Sequence, residues 1–272
     1  MTALQVKWLL TALIGGAGCG LAGFLLISLS LPFMGVCLAH AALAGAVLAY
    51  FLGTPVLGTA LVASLGVAAL VGPLADKTRT HANTVMSILF SLTLGLAFLG
   101  IGLMQDRRSE LLGLMWGNLL LVQWADIPPL FLAWLLPLIL LVVFAKETKA
   151  VLFDREIARA SGIHAAAFYY VIVALCGFTV TVNLNIVGGL MLYSLLTNPA
   201  VAAMQVAQTY RGAVVGSMAL GALCAAGGLM LSFGLNWPAG ASIVLVSSVV
   251  YAGSLVWRAC KGRGAMETNR SW

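Results

Sequence analysis

From Trp8 to Ala75 the chain carries no Asp, Glu, Lys or Arg, and a single His. A helix crosses the hydrocarbon core of a bilayer with about 20 apolar residues, so this run is too long for one span and too bare for a soluble surface. Proline removes a helix donor and clashes with the preceding turn. The two strongest breaks, Ser30-Leu31-Pro32 and Gly53-Thr54-Pro55, therefore cut the run into three segments of bilayer length. Further uncharged runs cover 83–105, 127–145, 160–210 and 212–257, and each of the last two has room for two spans. Only 8% of residues are charged and mean hydropathy is +1.06, whereas a soluble chain carries about 25% charged residues. The expected fold is an all-α polytopic transmembrane bundle with helices near 8–30, 33–52, 55–75, 83–104, 127–146, 164–183, 186–204, 212–234 and 240–257. That makes nine spans, or eight if Gly188-Gly189 and Asn198-Pro199 break 186–204 into half-helices. Residues 1–258 form one membrane domain and 259–272 a basic tail.

Lys and Arg are enriched in cytoplasmic loops, which orients the bundle. With the 146–164 loop inside, nine spans place Lys77, Arg79, Lys146, Lys149, Arg155, Arg159, Arg211, Arg258, Lys261, Arg263 and Arg270 in the cytoplasm and only Lys7, Arg107 and Arg108 outside. The N-terminus is then external, the C-terminus internal, and the net charge of +6 is a topology signal with no nucleic-acid partner implied. Segment 111–125 is short for a span, and Trp116 and Trp124 favour headgroup depth; it reads as an outer interfacial or re-entrant helix, with a tilted span as the alternative. Cys19, Cys37, Cys176, Cys224 and Cys260 stand singly, without the paired spacing of a disulfide framework or zinc site. Gly-Ala-Gly-Cys19 has the outline of a lipoprotein processing site, but the apolar run continues past it for a full span. Gly16/Gly20 and Gly212/Gly216 are spaced for close helix contact within the bundle.

Ionisable residues inside spans mark pathways or sit in hydrogen-bonded cores. Here the exception is His40. At 1.5 Å per residue, its place in the second span puts it roughly 12 Å from the cytoplasmic end, near the midplane, where it is either a pathway ligand or a neutral imidazole bonded to a neighbour. Cys37, three residues earlier, shares a helical face with it, and thiolate and imidazole both bind zinc and related ions. Between two spans on the positive side, Phe153 to Ile163 reads as a short helix with Asp154 as N-cap, Glu156 in the first turn and Gly162 as the stop. Such a helix can lie in the interface on Ile157 and Ala160.

Five segments in this order carry a resemblance. They are Met34 to Gly45, Trp116-Gly117-Asn118-Leu119-Leu120, Asp154 to Ile163, Val187-Gly188-Gly189-Leu190 leading to Asn198-Pro199-Ala200, and Pro238 to Val244. Over roughly residues 10 to 258 the chain resembles the membrane permeases of ATP-binding-cassette importers for manganese, zinc and iron. The resemblance implies a permease of the bacterial cytoplasmic (inner) membrane that carries a divalent metal as substrate. It further implies a homodimer enclosing one pathway, fed by an extracytoplasmic metal-binding protein. Asp154 to Ile163 becomes the coupling helix for an ATPase subunit, with Asp154, Glu156, Arg159 and Gly162 matching the family pattern. Arg155 stands for a frequent Pro and Ser161 for a frequent Leu. In the second span the family has an Asp four residues before the His; this chain has Val36, with Ala39 for a usual Ser and Ala44 for a common Pro. The resemblance thus implies His40 as the retained pathway donor, with Cys37 a candidate beside it; without the carboxylate the ion relies on neutral donors, a second protomer or a ligand shell it carries.

No Gly-x-x-x-x-Gly-Lys-Ser/Thr phosphate loop occurs in the sequence. The resemblance therefore places ATP, Mg and hydrolysis on the partner; this chain is no enzyme and binds no cofactor of its own. A gradient-driven secondary transporter is the alternative, but such proteins keep intramembrane carboxylates or lysines for coupling, and all eight acids here lie in loops, tails or span edges. An intramembrane hydrolase needs a clustered nucleophile and base or a metal cage, which the separated His40, His81 and His164 do not supply.

Overall fold

A computed structural model describes residues 3–104, 108–117 and 122–262. Arg107, Asn118, Leu119, Leu120, Arg263 and Arg270, all named above, lie outside the described residues. Twelve α-helices and no strand occur among the described residues: α1 (Ala3–Ser28), α2 (Met34–Leu52), α3 (Val56–Thr78), α4 (Ala82–Leu103), α5 (Arg108–Trp116), α6 (Ile127–Val143), α7 (Ala145–Phe153), α8 (Arg155–Ala160), α9 (Ala165–Val187), α10 (Gly189–Val206), α11 (Tyr210–Leu235) and α12 (Ala239–Gly262). Eight of them, all but α5, α7, α8 and α10, are long and apolar enough to cross a membrane.

The tenth helix is the segment whose continuity the sequence left open. It runs unbroken through Asn198 and Pro199, and its 18 residues reach about 27 Å at helical rise. Its polar residues find partners on α12: the Asn198 side-chain amide donates to the hydroxyls of Ser247 and Ser248, each at 3.2 Å, and the Ser254 hydroxyl donates to Gln205 at 3.0 Å. A polar side chain at bilayer depth needs such a partner, because lipid offers none. The α10 helix is thus one continuous helix packed within the bundle, and the half-helix alternative does not occur.

Proline marks the turns at Pro32 and at Pro55, the residue preceding α3. Pro73 and Pro137 instead lie inside α3 and α6. Several helices run past their expected ends: α1 begins at Ala3, α3 reaches Thr78 and α12 continues to Gly262. The cause is common, since a helix with its apolar part in lipid gains by carrying its hydrogen-bond ladder on into the polar zone.

Glycine sets the closest helix contacts. Gly16 and Gly20 of α1 lie against the backbone carbonyls of Gly221 and Ser217 on α11, and Gly23 lies against the Leu196 carbonyl of α10. Gly216 faces Ala203 and so brings α11 onto α10, as expected for packing within one bundle, while Gly212 sits over Thr209 in the α11 N-cap. The core around α1, α2, α9, α10 and α11 includes Leu21, Leu25, Leu38, Ile172, Cys176 and Leu192, all fully enclosed.

Lys7 lies near the outer start of α1, and its ammonium is 5.9 Å from the ring of Trp124, just before α6 on the same side. The α5 helix has nine residues, about 14 Å at helical rise, which is too short to cross. It buries Leu111 and Met115 against its neighbours, so α5 itself is no span; residues 118–121 of the 111–125 segment lie outside the described residues.

Candidate functional site

Two places on this frame concentrate the residues singled out above: the middle of α2 and the cytoplasmic connection from α6 to α9. Along α2, Val36, Ala44 and Leu48 are open to the outside of the bundle and recur every fourth residue, and His40 is the closed member of that row. It is 4% exposed. Its Nδ1 lies 3.0 Å from the Val36 carbonyl oxygen one turn back. A carbonyl only accepts, so Nδ1 carries the proton and Nε2 keeps its lone pair. The ring meets Phe90 of α4 edge to face, with centroids 4.8 Å apart.

Cys37 sits differently. It is fully enclosed in the same core as Met34 and Leu38, away from the open row that His40 shares with Val36. Among the described residues no group of three or more His, Cys, Asp or Glu side chains is placed to hold a metal ion. A single chain therefore offers one neutral nitrogen donor next to the open row. Such a donor suits an ion in passage better than one in storage, because a transported ion must also leave.

At the cytoplasmic end, α6 stops at Val143, and Phe144 turns the chain into α7, which leads straight to α8. The Asp154 carboxylate caps α8 by accepting from the backbone N–H of Glu156 at 2.7 Å and of Ile157 at 3.1 Å. At the other end Gly162 adopts φ +81°. There the Ile163 N–H donates to the Ala158 carbonyl and the Gly162 N–H to the Arg159 carbonyl, both at 3.1 Å, which is a Schellman closure. Both ends of this two-turn helix are thus fixed by its own residues.

The buried face of α8 differs from the one expected. Ala158 is enclosed, whereas Ile157 is 57% exposed and Ala160 is exposed as well. The reason is the anchor on α9: the Arg155 guanidinium lies over the Tyr169 ring at 4.6 Å and turns the helix onto its Ala158 side. In consequence Glu156, Ile157 and Arg159, with Phe153 just before them, all face away from this chain. Lys149 of α7 lies over the Tyr210 ring at the start of α11 at 4.7 Å, so the whole connection is tied to two spans. Neither cation–π contact was anticipated, since nothing in the spacing joins Arg155 to Tyr169 or Lys149 to Tyr210.

Two of the separated motifs meet on the outer side. Gly117, at φ +71°, lies against the backbone of Val187 and Gly188 at the one-residue turn between α9 and α10. Any side chain there would collide with that turn, which explains why glycine follows Trp116.

The family described as the ABC 3 transport family matches residues 1–258. Among curated relatives, the chain is 26% identical to the chelated iron transport system membrane protein YfeD of Yersinia pestis, over 93% of this chain and 85% of that protein. It is 27% identical to the manganese import system permease protein ScaB of Streptococcus gordonii, over 89% of this chain and 87% of that one. Among solved structures, PsaBC from Streptococcus pneumoniae in complex with Fab superposes with a TM-score of 0.84 at 26% identity, covering 93% of this chain and 91% of that one.

Proposed function

The chain belongs to the ABC 3 transport family, and from that premise we propose that it is the membrane-spanning permease subunit of an ATP-binding-cassette importer for a divalent transition metal ion: zinc, manganese or iron. The observation that carries this reading is α8. It is a short cytoplasmic helix capped at both ends by its own residues, tied to α9 by Arg155, and presenting Glu156, Ile157 and Arg159 outward. A rigid, outward-facing element bound to a span is what a separate motor needs in order to push on the membrane domain. ATP and Mg belong to that motor, because this chain has no phosphate loop. Two copies enclose the pathway, and an extracytoplasmic metal-binding protein delivers the ion to the outer face. His40 is the transient ligand through Nε2. Cys37, enclosed in the core, takes part only if α2 rotates.

Coupling is tested in proteoliposomes holding the permease and its ATPase. A Glu156→Ala/Arg159→Ala double variant is expected to keep its place in the membrane and lose metal uptake by on the order of tenfold, the scale of one interface hot spot. Full uptake by that variant would remove the docking role, and purification of an active transporter with no ATPase would point to a gradient-driven carrier. For His40, the His40→Ala variant is expected to assemble normally and transport at least about tenfold more slowly, as for loss of a group that tunes a metal site.

A further inference from the structure

The row of α2 that opens outward contains one polar side chain, and that side chain is shut. Val36, Ala44 and Leu48 are at least partly exposed, while His40, between them, is closed. The group found over it is Phe90, which stands at the border of α4's packed face: Met86, Leu89 and Thr93 are buried, and Phe90 itself is only half-buried. Phe90 in turn meets Phe33 edge to face, with ring centroids 5.5 Å apart. Phe33 is the N-cap residue just before α2. It precedes His40 by seven positions, a rise of about 10 Å, and the ring spacings of 5.5 Å and 4.8 Å together match that rise. Phe90 of α4 thus touches both the ring at the start of α2 and the imidazole two turns further along it.

We infer that Phe90, braced by Phe33, is a shutter over His40: it holds the imidazole closed in this conformation and, by swinging off the ring, opens Nε2 to a passing metal ion. This rests on the pathway reading of His40 given above and makes Phe90 a positioning residue for it. Two features of the geometry carry the inference. First, the Nδ1–H is already spent on the Val36 carbonyl, so the imidazole needs no partner from α4, and Phe90 offers it none; the contact is a cover and not a hydrogen bond. Second, the cover comes from a different helix than its target and is supported by the ring at the start of α2. Relative motion of α2 and α4, or of the turn at Phe33, is enough to lift it. An edge-to-face ring pair is weak enough to break in each cycle and strong enough to favour the closed state.

The test reads imidazole access and not transport. The chain is purified without a histidine tag, inserted in nanodiscs and treated with diethyl pyrocarbonate, and modification of each histidine is followed by mass spectrometry. His81 and His164 are exposed and serve as internal references. In the native protein His40 is expected to react far more slowly than either. Phe90→Ala is expected to raise its relative rate by on the order of tenfold, one ring pair's worth of closure, while Phe90→Trp, which keeps a ring, stays protected. Phe33→Ala loosens the brace from outside the site and is expected to raise the rate by a smaller factor; it decides the matter if Phe90→Ala fails to insert. An unchanged His40 rate in the variants that insert and elute like the native protein would overturn the shutter. Normal metal uptake by His40→Ala alongside an unmasked imidazole in Phe90→Ala would leave the shutter standing and remove the pathway role instead.

Discussion

Position 36 is where the proposed His40 site is most open to test. The Val36 side chain occupies the open row one turn before His40, where the family resemblance implies an aspartate, and Val36 contributes only its carbonyl, which fixes the imidazole tautomer. Without a carboxylate there is little Coulombic attraction for a dication in the low-dielectric bundle. Val36→Asp is expected to tighten divalent-ion binding by at least about tenfold while slowing release, because an ion-binding step in a conduit is limited by escape as well as capture. Calorimetry on the detergent-solubilised protein and initial uptake rates measure the two effects, and unchanged affinity would mean that position 36 does not face the ion. At the same scale Gly23 shows what close approach demands. It lies against the Leu196 carbonyl, so Gly23→Val forces α1 and α10 apart at a cost of about 1–3 kcal/mol, read as a lower midpoint of thermal unfolding.

Helix α8, proposed above to couple to the ATPase, holds its shape through its caps and one contact to α9. With six residues it is far below the length at which an isolated helix is stable, and its persistence depends on the Asp154 cap, the Gly162 closure and the Arg155–Tyr169 contact. Asp154→Ala is expected to cost about 1 kcal/mol. Amide exchange across residues 155–160 should then speed up roughly fivefold, while exchange in the spans stays unchanged. Tyr169→Leu keeps the apolar volume on α9 but removes the face on which the guanidinium rests, so ATP hydrolysis should persist while uptake per ATP falls. The caps were legible in the sequence because they act between neighbours in the chain. The buried face was not, since Arg155 and Tyr169 are brought together only when α8 folds back on α9.

On the scale of the whole molecule, sidedness and packing give one joint expectation. Cys260 near the end of α12 is exposed, while Cys19, Cys37, Cys176 and Cys224 are buried. A membrane-impermeant maleimide is expected to label Cys260 alone, in inverted vesicles and not in intact spheroplasts. Labelling from the outer side would reverse the topology. What the sequence by itself determined is the solvent, the number of apolar crossing helices to within one, and the two capped ends of α8. Each of these follows from local composition or from groups a few residues apart. Only the tertiary structure decided that α10 stays whole, that α5 stops short of crossing, that Cys37 faces the core while His40 borders the open row, and that Phe90 covers it. These depend on which helices are neighbours. In a bundle where nearly every face is apolar, hydrophobic pattern cannot say which face meets which; glycine contacts, interhelical hydrogen bonds and ring packing make that choice.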